Sequence, residues 1–166
     1  MFDILPREYL AIDPSLVSMG WAYFKKGKLM KSGTKRFKTK NVSWLRRLDQ
    51  CVDVVNKLVC AGHPKVMLIE MPAHMGNQAS NTQSILKLMG LVCALRERFK
   101  NLLIVHLIPV RLWKGTAPKR VTQDRVRKRY GQCWKSHDEA DAIGIGDWFL
   151  NGANRVRLSR VFESVP

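Results

Sequence analysis

Tyr9-Leu10-Ala11-Ile12-Asp13-Pro14 is the stretch from which this 166-residue chain can be read. Four residues of apolar character run without a break into a carboxylate, and a proline follows at once. A short apolar run closed by a turn signal predicts a buried strand, here residues 9–14, stopped at Pro14. A strand that ends on an acid leaves that acid at a sheet edge, where sites form in α/β proteins. Alone, Asp13 before Pro14 is equally a turn residue. Its meaning depends on what the rest of the chain brings beside it.

Residues 20–26 predict a second strand, running into the turn Lys25-Lys26-Gly27-Lys28, and residues 29–37 a returning one. Two hairpin connections make these three strands antiparallel. Residues 43–61 carry Leu45, Leu48, Val52, Val55, Leu58 and Val59 at helical spacing, with Ser43 as N-cap and Pro64 marking the end. Val66 to Ile69 is a buried strand, and residues 72–82 a loop rich in Pro, Gly, Asn and Ser. A helix from Thr82 to Phe99 and a strand from Leu102 to Ile108 follow. Residues 111–120 read as a basic loop, Thr122 as the cap of a short basic helix to Tyr130, and residues 138–150 as a last helix ending at Asn151-Gly152. The order β-β-β-α-β-α-β-α-α predicts one α/β domain over 1–166, a mixed sheet with helices on its faces.

Charge narrows the function. Lys and Arg number 29 against 13 Asp and Glu, a net charge of +16. A field of that size on one small domain draws polyanions, nucleic acid first among them. No stretch approaches the roughly 20 apolar residues of a membrane span, and residues 1–8 do not form a signal peptide, so a cytoplasmic protein is expected. Cysteines stand at 51, 60, 93 and 133 without a CxxC pair and read as small core residues. Cys60-x2-His63 and Cys133-x3-His137 leave a zinc alternative, weakened by the long separation of the two pairs.

Against that basic background the acids stand out. Asp13 ends the first strand and Glu70 the fourth. Asp138 and Asp141, three apart, share one face of the last helix, and Glu139 points elsewhere. Asp138 alone is explained as a helix N-terminal acid; Glu70, directly after Val66-Met67-Leu68-Ile69, is poorly explained by packing. Gathered carboxylates repel one another, and a hard divalent cation such as Mg²⁺ resolves the conflict. Two such ions about 3.5–4 Å apart can activate water and stabilise the leaving oxygen of a phosphodiester displacement.

Three stretches carry a family resemblance: Ala11-Ile12-Asp13-Pro14-Ser15-Leu16-Val17-Ser18-Met19-Gly20-Trp21, Leu68-Ile69-Glu70, and His137-Asp138-Glu139-Ala140-Asp141-Ala142-Ile143-Gly144-Ile145. Together they resemble the RuvC family of Holliday junction resolvases, of the ribonuclease H-like superfamily. The resemblance implies a five-stranded sheet, three antiparallel strands first and then parallel ones, with helices on both faces. It implies a homodimer that nicks four-way DNA junctions in pairs, using two Mg²⁺ ions (or Mn²⁺) on Asp13, Glu70, Asp138 and Asp141, with no small-molecule cofactor. Lys114 looks like a family lysine, and Lys119 a second. Cellular resolvases insert an aromatic soon after the central glutamate; here Ala73, His74 and Met75 stand there, a departure that leans toward a phage member. A same-fold nuclease acting on forks, flaps or RNA–DNA hybrid is the alternative, and a non-catalytic nucleic-acid-binding module a further one. His137 either assists the site or simply starts the helix.

The remaining basic segments suggest contacts. Lys25 to Lys40 holds eight Lys or Arg, which suit edge protection or phosphate contact equally. Residues 111–129 crowd Arg111, Lys114, Lys119, Arg120 and others around Trp113, which favours phosphate contact. His74, Asn77 and Gln78 are expected to touch backbone or base edges over the site. Arg155, Arg157 and Arg160 have no assigned use. The apolar stripes Val52, Val55, Val59 and Ile85, Leu88, Met89, Val92 read as core or dimer packing.

Overall fold

The structure is a computed structural model that describes residues 8–72, 82–131 and 134–151. Five strands form one sheet: β1 (Glu8–Asp13), β2 (Ser18–Lys25), β3 (Lys28–Arg36), β4 (Val66–Met71) and β5 (Ile104–Pro109). Their order is β3-β2-β1-β4-β5. β1 pairs antiparallel with β2 and parallel with β4; β2 and β3 are antiparallel, β4 and β5 parallel. The expected mixed sheet is therefore observed.

Five helices accompany it: α1 (Trp44–Gly62), α2 (Thr82–Phe99), α3 (Val110–Trp113), α4 (Lys119–Tyr130) and α5 (His137–Leu150). Ser43 caps α1, its side chain accepting from the Arg46 N–H. That helix ends at His63, whose φ of 48° places it in the left-handed region beside Pro64. No helix among the described residues is long and apolar enough to cross a membrane.

Strand alternation divides the core in two. On β1, Tyr9 and Ala11 face one side while Leu10 and Ile12 face the other. The first side packs Phe24, Leu68 and Val66 against Ala142, Ile143, Ile145 and Phe149 of α5. The second packs Met19, Met67 and Ile69 against Cys51 and Val55 of α1 and Leu91, Val92 and Leu95 of α2. Val52, Val59 and Leu88 lean on this second core, as their spacing predicts.

Three expectations fail. The basic loop contains a helical turn, α3, in which Trp113 is buried. Thr122 is not a cap: α4 starts at Lys119 after Pro118, and Thr122 is buried. Cys51 is buried, but Cys60 and Cys93 are exposed and so are not core residues. Nine residues on a helix is about half a turn out of phase, which puts Cys60 opposite Cys51. Cys133 lies outside the described residues.

Candidate active site

Parity on the strands decides where the acids point. Asp13 shares the face of Tyr9 and Ala11, and Glu70 that of Val66 and Leu68, so both turn toward α5. Ile12 is the register partner of Ile69, so the two acids follow on adjacent parallel strands. On the other flank Asp13 pairs with Gly20 of β2. A Cβ added at Gly20 would lie 2.0 Å from the Asp138 carbonyl oxygen. The missing side chain lets the start of α5 sit directly on the sheet beside Asp13.

α5 begins there for local reasons. Ser136 is its N-cap and accepts from the Glu139 N–H at 3.1 Å. The Glu139 carboxylate turns back and accepts from the Lys135 N–H at 2.8 Å and from the Ser32 hydroxyl of β3 at 2.7 Å. Thr34 and Ser136 share a further hydroxyl hydrogen bond. This capping arrangement fastens α5 to the edge strand. Glu139 is thus structural, and Asp138 and Asp141 are left to the Asp13 side.

The electrostatics record the convergence. Burial lifts the Asp13 carboxyl well above the usual carboxylate range; repulsion from Glu70, Asp141 and Asp138 adds to it, and Lys114 opposes. Asp141 is 7% exposed; its Oδ2 accepts from the Lys114 ammonium at 3.1 Å, and its buried Oδ1 has no hydrogen-bond partner among the described residues. An unpartnered buried carboxylate oxygen costs about 1–3 kcal/mol or more. It is a donor suited to a hard cation. Glu70 Oε2 accepts from the Trp113 indole N–H at 3.0 Å. With the side chains arranged so, no group of three His, Cys, Asp or Glu among the described residues stands ready to hold an ion. The donor chemistry fits a hard divalent ion; coordination would require these carboxylates to reorient.

No family model and no curated protein sequence matches the chain. Solved structures do. Thermus thermophilus RuvC in complex with a Holliday junction substrate is 16% identical at a TM-score of 0.68, over 90% of this chain and 95% of that one. The chain has the fold of the RuvC-type resolvases. Yeast mitochondrial Holliday junction resolvase Ydc2 is 13% identical at 0.63, over 97% of this chain and 85% of its own. Fowlpox virus resolvase, solved with substrate Holliday junction DNA, is 14% identical at 0.53, over 87% and 97%.

Within this RuvC-type fold the other named residues fall as follows. Lys114 lies against Asp141 and is only 11% exposed, so any phosphate contact it makes is inside the site. Arg120 is 90% exposed on α4, 3.8 Å from Asp124. His137 is exposed and its Nδ1 is engaged by the Gln123 amide of α4. His74, Asn77, Gln78, Arg155, Arg157, Arg160 and the Lys119 side chain lie outside the described part of the structure. The Cys60/His63 and Cys133/His137 zinc alternative cannot be followed through Cys133 for the same reason.

Two residues gain a role that the sequence reading did not give them. Trp113 stands among basic residues in the sequence; it is 6% exposed and its indole N–H holds Glu70. Gly20 was noted only as part of a motif; it sets the approach of α5. A signal for Trp113 existed in its place directly before Lys114, since residues at a helical turn after a strand end can reach the same edge.

Proposed function

We propose that the protein is a structure-selective DNA endonuclease that resolves four-way junctions by paired, metal-dependent nicks. The observation that carries this reading is the convergence of Asp13, Glu70, Asp138 and Asp141 at one sheet end: Asp13 and Glu70 end adjacent parallel strands, the start of α5 sits on Gly20 beside Asp13, and Asp141 Oδ1 has no hydrogen-bond partner among the described residues. A purely binding module would gain nothing from four acids that repel phosphate. The RuvC-type fold and the +16 charge support branched DNA as the substrate.

In this reading the four carboxylates hold Mg²⁺, with Mn²⁺ as substitute and two ions per site. Ions bound there would supply a nucleophile from water at neutral pH and would neutralise charge on the leaving oxygen. The chain's own residues do the rest. Trp113 holds Glu70 by one oxygen. Lys114 compensates Asp141 and can meet the phosphate. Arg120 and its basic neighbours anchor the flanking backbone.

Paired nicks need two sites, and a homodimer supplies them. The first half of α2 offers the surface: Leu86 is 64% exposed, and Ile85, Leu88 and Met89 are only half-buried. Leu45 of the neighbouring α1 is also exposed.

The test is cleavage of a synthetic four-way junction in Mg²⁺ or Mn²⁺, with fork, flap, linear duplex and RNA–DNA hybrid as controls. Cutting of the junction alone, lost in Glu70→Gln and Asp141→Asn while binding survives, is expected. Equal cutting of linear duplex would refute junction selectivity, and a fully active Asp141→Asn would refute the site.

A further inference from the structure

The acid site leaves most of the positive charge unexplained. Five of the 29 Lys and Arg line a groove of about 570 Å³ between the end of β3 and α1. Lys35, Arg36 and Lys38 form one wall, and Arg46 and Lys57 of α1 stand on the other. All five are exposed, and none takes part in an ion pair among the described residues. Asp53 is the one acid among the described lining residues. Five unpaired cations crowded around one acid repel one another, an arrangement that favours an anionic occupant.

Shape and position say which anion. Arg46, Gln50, Asp53 and Lys57 are spaced by four, three and four, so they lie along one face of α1. At 1.5 Å per residue this wall runs about 16 Å, the axial length of about five nucleotides at 3.4 Å each. The groove lies on the α1 face of the sheet and the acids on the α5 face, but its β3 wall stands only two strands from Asp13. Lys35 pairs with Met19 and Arg36 with Ser18 on β2, next to Gly20 and hence to Asp13 on β1. Two strand spacings make that step about 10 Å. Arg36 also lines the trough on the α5 face of β3, so the cations continue around the sheet edge toward the acids' side.

A protein partner fits less well. The hot spots of protein interfaces are large buried anchors in pockets. None of the exposed large apolar residues (Val17, Met30, Leu45, Leu86, Leu102, Ile104) lines this groove, and Phe37 within it is only 8% exposed.

We propose that the β3–α1 groove is a second nucleic-acid site, which binds the sugar–phosphate backbone of a substrate arm as it leaves the acid cluster. Lys35, Arg36, Lys38, Arg46 and Lys57 are its phosphate contacts. The proposal rests on the nuclease reading for where the arm comes from, but its measurement is binding and needs no cleavage.

Arg46→Gln/Lys57→Gln tests it in the full chain. Equilibrium binding is measured in EDTA on four-way junctions with arms of twenty base pairs, between 50 and 200 mM NaCl. Loss of two phosphate contacts lowers the slope of log K against log salt by about 2 and weakens binding about tenfold or more at 100 mM. Junctions with hairpin-capped arms of six base pairs, too short to reach Lys57, should show a smaller loss in the variant than long arms do. Arg46→Lys/Lys57→Arg should restore the slope. An unchanged slope overturns the proposal, as does an equal loss on short arms or a failure of the charge-retaining variant to rescue. Loss of poly-glutamate binding with the DNA slope intact overturns it in favour of an acidic protein partner. A parent that binds with the expected arm dependence yet cuts nothing would refute the nuclease reading instead.

Discussion

Replacing Gly20 with Ala should damage the candidate active site far more than the fold. The added Cβ would meet the Asp138 carbonyl oxygen at 2.0 Å, the Asp138 carbonyl carbon at 2.3 Å and the Glu139 nitrogen at 2.9 Å. All three are backbone atoms, so no rotamer change relieves the clash. Non-bonded contacts of carbon relax near 3.5 Å, so the first turn of α5 must retreat by about 1–1.5 Å. Overpacking of this kind costs about 1–3 kcal/mol, or about 2–10 °C in Tm for a chain of this size. The retreat carries Asp138 and Asp141 away from Asp13 and Glu70. A misplacement of about 1 Å costs about a hundredfold in rate. The assay is single-turnover cleavage of a four-way junction at saturating protein and Mg²⁺, with Tm measured alongside. Gly146→Ala is the control. Its Cβ would meet Phe24 Cε2 at 2.1 Å, on the same helix but beyond the acids. It should lower Tm by a similar amount and the rate by much less. A Gly20→Ala protein that loses stability but cuts at the parent rate would refute the idea that this contact sets the acid geometry.

Asp13→Asn should abolish cutting and raise Tm in EDTA. The native Asp13 carboxyl is held above its unfolded value, so the native state binds its proton more readily, and stability falls as pH rises from about 4. Asparagine removes that fall, so the Tm gap over the parent should widen with pH; a gap that is constant or reversed contradicts the assigned repulsion. Trp113→Phe keeps the buried ring and deletes the N–H that holds Glu70 at 3.0 Å. A Tm within a few degrees of the parent with about a tenfold lower single-turnover rate is expected, and an unchanged rate would remove Trp113 from the site. With alkylating reagent, Cys60 and Cys93 should label in the native state. Cys51, whose thiol burial pushes up to about 12, should label only on unfolding, as peptide mass analysis would show.

The parts of the fold legible in the sequence are those with an unambiguous period. β1 and β4 are continuous apolar runs ended by acids, and their parity alone predicts that Asp13 and Glu70 share a face. The i, i+3 spacing of Asp138 and Asp141 fixes their common face equally well. What could not be read depends on distance across the fold. Gly144 leaves room for Trp113, whose Cζ3 would lie 2.8 Å from an added Cβ, and nothing local in Gly144 announces a tryptophan 31 positions earlier. α3 is a single turn, too short to show helical periodicity. Thr122 has the chemistry of a cap, but Pro118 starts the helix a turn earlier and turns Thr122 into the α5 contact. Cys60 and Cys93 have apolar neighbours in sequence but stand on the exposed faces of their helices, because neighbourhood in sequence is not a shared helical face.

These observations divide the site by the device that holds each part. The strand acids are locked by register: a slip of one residue would turn Asp13 and Glu70 toward α1, and with them every core residue of their strands. That change would unfold the sheet before it could move the acids alone. The helix acids depend instead on how α5 seats: its apolar face packs on the sheet, and its first turn is set by the close contact at Gly20 and by the cap that ties Ser136 and Glu139 to Thr34 and Ser32. Small repacking can shift them without breaking the sheet. Trp113 and Lys114 come from a third element, the turn after β5, and each engages one acid of a different kind, Glu70 on a strand and Asp141 on the helix. That turn therefore bridges the rigid and the adjustable halves. Substitutions there that keep an aromatic ring at 113 should alter activity with little effect on folding, whereas those at the strand acids' apolar neighbours should do the reverse.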